Sequence, residues 1–280
     1  MTDAVGIVCH PRIDIGQQPV VEARKHLERH GFRVWTYCST AKERPGALDA
    51  NLEGTRLILS IGGDGTLLWT AEQAAAAAIP VLGINAGRLG FLTEVRLADA
   101  GAAVDRWVSG DFSLQRRAIL EARVEEQSYV ALNDVVVHKG EEINLIRMEV
   151  LVDGQEAGRF DADGAIFSTA TGSTGYALSL GGPILHPEVK ALTFLPLNPH
   201  SLFNRPVVLP ETARITVRLP DASALLTCDG QRSTGLRPGT EVQIASPGGV
   251  DLVRFKDAQN FFSLLRRKIR WGLPLVEDST

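Results

Sequence analysis

The sequence predicts a two-domain chain: a parallel α/β domain, then a mainly β, sandwich-like domain, with a last helix returning to the first. Three observations predict it. Residues 4–110 alternate short apolar runs with helical spacing, the order of a parallel sheet covered by helices. From Leu114 the texture changes to period-two alternation of apolar and polar residues, the mark of half-buried antiparallel strands. Beyond residue 250 helical spacing returns. The implied divisions are 1–113, 114–250 and 251–280.

Each element has its own signal. The apolar run 4–9 reads as a first buried strand, with His10-Pro11-Arg12 in the loop after it. Residues 19–30 carry Val20, Ala23 and Leu27 on one helical face and stop at Gly31, placed as the C′ residue. Residues 32–37 form a second strand. Residues 39–53 are polar and hold Pro45-Gly46, so they read as a loop with at most a helical turn. Leu57-Ile58-Leu59-Ser60-Ile61 is a third strand. It runs into Gly62-Gly63-Asp64-Gly65-Thr66, and residues 67–78 are rich in the strong helix formers Ala, Leu and Glu. Ile79-Pro80 stops that helix and Val81-Leu82-Gly83-Ile84 begins the next strand. This βαβ unit makes the first domain Rossmann-like, with the glycine turn at the carboxyl end of a parallel strand, where open α/β sheets bind ligands. Residues 85–92 supply a second glycine loop at the same edge, and residues 98–110 a helix with Val104, Trp107 and Val108.

In the β part, Leu120, Ala122 and Val124 alternate with charged residues, as do Ile146, Met148, Val150 and, later, Ile215, Val217 and Leu219 with polar ones. Asp153-Gly154 and Asp229-Gly230 are hairpin-turn dipeptides. Residues 258–271 return to helix; an isolated helix of that length is marginal, so it packs back on the first domain. There is no internal repeat.

Composition narrows the function. Hydrophobic content of 44% and charged content of 22% are ordinary for a soluble globular protein. The net charge is −4 with scattered basic residues, and Arg266-Arg267-Lys268 reads as a solvated helix face, which disfavours nucleic acid as a partner. Cys9, Cys38 and Cys228 are far apart and offer no zinc spacing, so a reducing compartment fits them. No signal peptide or membrane span is read. A cytoplasmic protein with no membrane partner and no protein-built metal site is the expectation.

The glycine turn carries the chemistry. Three glycines in four residues let a ligand approach the backbone, and the free N–H groups there can face an anion. A carboxylate in a phosphate cradle needs a task, so Asp64 is a candidate base, or acts through a metal ion; the bland alternative is a tight turn with Asp64 as helix N-cap. No G-x-G-x-x-G follows a strand and no Walker lysine occurs, which disfavours dehydrogenases and P-loop enzymes. Asn133-Asp134 heads an apolar strand, where, taken alone, an ordinary turn is the better reading. Residues 163–176 are richer: a strand runs into Thr169, Thr171, Ser173 and Thr174, then Tyr176, which can stack on a ring. Hydroxyls at that density suit a sugar and a base edge, against the alternative of a plain Ser/Thr loop. Ser179, Gly181-Gly182-Pro183 and His186-Pro187 extend the segment.

Taken together, Gly62-Gly63-Asp64-Gly65-Thr66, Asn133-Asp134, residues 163–183, residues 192–206 and Cys228-Asp229-Gly230-Gln231 resemble the bacterial NAD kinases in order and approximate spacing. The resemblance covers residues 6–271. It implies transfer of the terminal phosphoryl group of ATP, or of polyphosphate, to the 2′-hydroxyl of the adenosine ribose of NAD, with Mg²⁺ or another divalent cation. It implies phosphate binding by Gly62, Gly63, Gly65 and Thr66, and catalysis by Asp64 as base. NAD contacts are implied for Asp64, Gly65, Phe91, Asn133, Asp134, Asp161, Asp163, Thr171, Thr174, Gly175, Tyr176 and Ser179. A homo-oligomer, dimer or tetramer, is implied, in which residues around His200 complete a neighbour's site. Ala170 stands where the family usually has Pro and Gly175 where it has Ala; both should be tolerated. Asp161 stands where many members carry Arg, Lys, His or Gly, and adds negative charge on the expected nicotinamide side. Lipid kinases, sharing only the glycine turn, and a non-catalytic NAD sensor are the alternatives.

Overall fold

A computed structural model describes residues 3–39, 46–87, 90–140, 144–202 and 204–274. Pro45, Arg88-Leu89 and the last six residues of the expected C-terminal segment lie outside the described residues.

The first part builds one half of a large sheet. Its strands are β1 (Ala4–Cys9), β2 (Arg33–Cys38), β3 (Thr55–Gly62) and β4 (Val81–Asn85), all parallel, in the order β4-β3-β1-β2. Helices α1 (Gln18–Arg29), a short α2 (Asp49–Leu52) and α3 (Asp64–Ala75) connect them. A two-residue β5 (Val95–Arg96) pairs with β4, and α4 (Ala100–Val108) follows. Gly31 takes φ +84° past the end of α1, as a C′ glycine does. Helix α3 ends earlier than the Ala-rich run suggests, because Ala78 adopts φ +52° and Ile79 N–H bonds back to Ala74. Trp69, Leu67 and Ala71 of α3 pack with Ile58 and Val81 on one face. Val20 and Leu27 of α1 and Val104 of α4 pack with Ile7, Leu59 and Ile84 on the other. The order reverses between β1 and β3, so the crevice at their carboxyl ends is the ligand position of an open sheet.

The second part is a sandwich, as expected, but one of its layers is not separate. Strands β6 (Ser113–Val124), β7 (Gln127–Ala131), β9 (Ile146–Val152), β10 (Gln155–Ala162), β14 (Ile215–Arg218) and β17 (Glu241–Arg254) continue the parallel sheet into one of eleven strands. One edge of β17 carries β6 along its length; the other carries β14 and then, at Leu252 opposite Val81, β4. The opposing six-stranded sheet runs β13 (Val207–Pro210), β12 (Ala191–Leu197), β11 (Gly164–Thr169), β8 (Asp134–His138), β15 (Ala224–Cys228), β16 (Arg232–Leu236), all antiparallel. Leu120, Met148, Val150 and Val217 of the first layer meet Val135, Phe167, Leu192 and Leu226 of the second in one core. Both expected Asp-Gly hairpins form, with φ +50° and +78° at Asp153-Gly154 and +52° and +64° at Asp229-Gly230. After β11, a four-residue α5 (Tyr176–Ser179) carries the Tyr176 end of the Ser/Thr segment. The last helix, α6 (Phe261–Ile269), is capped by Asn260 and borders α4: Leu264 and Arg267 line one cavity with Ala102, Ala103 and Arg106. No helix among the described residues is long and apolar enough to cross a membrane.

Candidate functional site

The glycine turn sits at the switch point. Gly63, not Asp64, is the N-cap of α3, so the N-cap alternative for Asp64 falls: Asp64 is the first helical residue and its side chain points elsewhere. The three glycines do different things. A Cβ on Gly62 would lie 2.2 Å from Thr66 Oγ1 and 3.2 Å from His10 Cβ, so glycine is needed there for packing. Gly63 and Gly65 are exposed; nothing lies within 4 Å of a Cβ on Gly63, and only Gln231 Nε2, at 3.8 Å, near one on Gly65. That open space above a helix N-terminus can admit an anionic group.

The Asp64 carboxylate is held by the second glycine loop. Oδ2 accepts from Phe91 N–H at 2.8 Å, and Oδ1 from Leu92 N–H at 3.2 Å and Thr93 N–H at 3.4 Å. The loop is itself braced: Gly87 N–H donates to Asn85 Oδ1, while Asn85 Nδ2 and Gly90 N–H donate to Thr93 Oγ1.

Asn133, Asp134, Asp163 and Tyr176 line one cavity of about 490 Å³, with Lys139, Asn198 and Asp229. Phe91, Thr171 and Thr174 line a neighbouring one of about 640 Å³. Gly175 lies between the two groups: a Cβ there would stand 3.2 Å from Gly172 O and 3.5 Å from Asn133 Nδ2. Asp161 and Ser179 are exposed and line neither cavity. The hydroxyls of the Ser/Thr segment mostly turn inward. Thr169 donates to Leu132 O at 2.6 Å and Ser173 to Ala170 O at 2.7 Å, which shapes the loop and leaves Thr174 and Tyr176 as its more open members. Tyr176 is 49% exposed, free to meet a ring.

Three features were not read from the sequence. Asp229, taken as a hairpin residue, accepts the N–H groups of Leu132, Asn133 and Asp134 at 2.8, 2.7 and 3.1 Å, and so fixes the Asn133-Asp134 pair. Burial raises the Asp229 carboxyl to about 6 despite these donors. Burial, and then the Asp229 charge, raises that of buried Asp134 to about 7. The three backbone donors favour the charge on Asp229 over Asp134. Second, Gln231 Nε2 donates to Gly65 O at 2.8 Å, tying the hairpin of the β part to the glycine turn. Third, the negative charge of Asp161 is matched: Arg147, its register partner on β9, grips it through Nε at 2.9 Å and Nη2 at 3.1 Å and holds its carboxyl low. Asp163 is likewise held low by Lys139, at 2.6 Å, and Asn198. The only sequence signal for the first two was that Cys228 to Gln231 stood among the family-like segments.

The chain matches two family models: ATP-NAD kinase N-terminal domain over residues 5–112 and ATP-NAD kinase C-terminal domain over residues 132–255. An NAD kinase of Citrifermentans bemidjiense is 40% identical over 258 residues, 88% of each chain. One of Moorella thermoacetica is 39% identical, covering 98% of this chain and 91% of that one. Among solved structures, yeast NADH kinase complexed with NADH superposes with a TM-score of 0.87 at 25% identity, over 99% of this chain and 90% of that one. An NAD kinase from Archaeoglobus fulgidus in complex with ATP gives 0.71 at 27%, over 91% and 94%.

Proposed function

This chain belongs to the NAD kinase family, and on that premise we propose how its residues carry the reaction. The acceptor is the 2′-hydroxyl of the adenosine ribose of NAD, and the product NADP. The observation that carries this reading is the Gln231–Gly65 bond: it holds the cavity of Asn133, Asp134, Asp163 and Tyr176 against the turn that can admit phosphates. The ribose lies between Asp64 and the Asn133-Asp134 pair, the adenine toward Phe91, Thr174 and Gly175, and the nicotinamide half toward Asp163. Tyr176 packs on the nucleotide. Asp161 and Ser179 serve only if the nicotinamide end, or a neighbouring subunit, reaches the outer face of the sandwich.

ATP is the phosphoryl donor; polyphosphate is a second donor to test. Its phosphates sit on the exposed N–H groups of residues 63–66. A sugar hydroxyl is a weak nucleophile at neutral pH, so Asp64 accepts its proton as it attacks, a contribution of about 10²–10⁴-fold. The loop donors fix the direction of the Asp64 carboxylate while lone pairs remain to accept the proton. No group of three or more His, Cys, Asp or Glu side chains among the described residues could hold a metal. A Mg²⁺ carried by the donor phosphates would need only Asp64 as the carboxylate of the turn, and would supply neutralisation of phosphate charge there. The protein works as a homo-oligomer in the cytoplasm. The exposed Val207 and Val208 of edge strand β13 suit a subunit contact.

A coupled assay tests the reading. Purified protein with NAD, ATP and Mg²⁺ should form NADP, read with an NADP-specific dehydrogenase, and Asp64→Asn should lower turnover at least about 10²-fold with little change in NAD binding. A near wild-type rate in that variant removes Asp64 from its role. Unchanged NAD binding by calorimetry in Asn133→Ala removes the ribose placement.

A further inference from the structure

Arg117 is a buried cation in search of an anion. It is 5% exposed, the one Lys or Arg among the described residues to be fully buried. Its Nη2 donates to Gln115 Oε1 at 2.8 Å, its Nε is buried with no partner, and no carboxylate oxygen lies within 4 Å of it among the described residues. Burial, and then the nearby Arg254 charge, lower its pKa to about 10 against the smaller opposing pull of Glu188 and Glu94, so it remains charged at neutral pH and only partly compensated. An uncompensated buried charge is strongly destabilising unless something completes it.

Arg117 lines the cavity of about 640 Å³ that also holds Arg116, Lys190, Arg254, Glu188 and Glu211. Arg116 is paired with Glu211 at 3.0 Å, and Arg254 with Glu94. Glu188 is met by Gln115 Nε2 at 3.3 Å. With Glu94 counted, four cations meet three carboxylates there, which leaves one positive charge over in a chain whose net charge is −4. A planar guanidinium with donors to spare matches the oxygens of a phosphate. Phe91, Thr171 and Thr174 line the same cavity.

We propose that this cleft is a phosphate-binding site, distinct from the glycine turn, in which Arg117 holds a phosphate group supplied by a free phosphate compound or by a nucleotide. Its occupant meets the wall formed by Phe91 and Thr174, so it competes with whatever base that wall receives. The binding itself stands without the kinase reading; only the competition with NAD rests on it.

Calorimetric titration of the full chain with pyrophosphate, and separately with ADP, at low ionic strength tests this. Gly63→Glu is used throughout to block the glycine turn, since a side chain there meets no protein atom within 4 Å. Saturable binding should persist in that background. Arg117→Met should weaken it about tenfold or more, and Arg117→Lys less, as a single charge without the fork. Glu188→Gln, on an exposed side chain, should tighten it about two- to threefold by removing a like charge. ADP binding tighter than pyrophosphate identifies a nucleotide as the source; equal binding identifies a free phosphate compound. No saturable binding in the Gly63→Glu background, or binding unchanged in both Arg117→Met and Glu188→Gln, overturns the proposal. Should the Arg117 variants fail to fold by circular dichroism, Glu188→Gln decides alone. Failure of NADP formation with the binding intact would count against the kinase mechanism and not against the cleft.

Discussion

Gly90→Ala should be among the most damaging single-methyl changes in the protein. A Cβ at Gly90 would stand 1.8 Å from Asp64 Oδ1 and 2.2 Å from its carboxyl carbon, where ordinary contact begins near 3.4 Å. The two groups must part by about 1.5 Å, and misplacing a reacting group by about 1 Å can cost 10²-fold in rate. The parting also strains the 2.8 Å bond from Phe91 N–H to Asp64, a charge-assisted bond worth about 1.5–3 kcal/mol. In a chain of this size that is a fall in Tm of roughly 3–5 °C. Gly87 is the control: it lies in the same loop, and a Cβ there meets nothing within 4 Å. The assay is NADP formation at saturating NAD and ATP, with a thermal melt of each variant. Gly90→Ala should lose about 10² in kcat, and Gly87→Ala should match wild type. A folded Gly90→Ala with kcat within threefold of wild type would refute the idea that the loop fixes Asp64 for catalysis.

Other outcomes follow from the same geometry. Asp134 has its carboxyl raised to about 7 in the folded protein, chiefly by burial, against about 4 unfolded. The folded state therefore binds the extra proton, its stabilisation is full below about pH 4, and it is lost as pH rises through 7. Urea midpoints should fall between pH 5 and pH 8, and Asp134→Asn should shrink that fall. The Glu72–Arg232 pair, at 2.7 Å with side chains 10% and 11% exposed, joins α3 to β16; Glu72→Gln or Arg232→Met alone should cost about 3–5 kcal/mol in denaturant unfolding, since each strands its partner. Gly175→Ala should be nearly silent in activity, needing only a few tenths of an ångström from Gly172 O, whereas Gly172→Ala, whose Cβ would lie 2.1 Å from Asn133 O, should raise the KM for NAD severalfold.

Much of this was legible from local pattern. Helical spacing and glycine punctuation located β1 through α4, and the Asp-Gly dipeptides fixed two hairpins, because those signals act within a few residues. Register is another matter. Alternation says that Arg147 and Asp161 face solvent, not that they face each other; their pairing depends on where the Asp153-Gly154 turn sets the two strands. Asp229 escaped notice for a related reason. A turn carboxylate at a hairpin is common, and only its burial against Leu132, Asn133 and Asp134, about a hundred residues away in sequence, turns it into the brace of the site. Nor does any local feature reveal that residues 241–254 form one strand, given Pro247-Gly248-Gly249 in its middle; a register shift at Ala245 and Gly248 accommodates them.

That strand also limits how the molecule can move. Because β17 is hydrogen-bonded to β4 at one end and β14 at the other, with β6 along its whole flank, the two halves share a backbone rather than a linker. A bivalve closure about a flexible neck would have to break the pairing of β17 with β4 at Leu252 and Val81. Substrate capture must come from the rim: the loop over Asp64 and the segment after β11. By the same logic the two halves should melt together, and protection of the β17 amides from hydrogen exchange should track the stability of the entire chain.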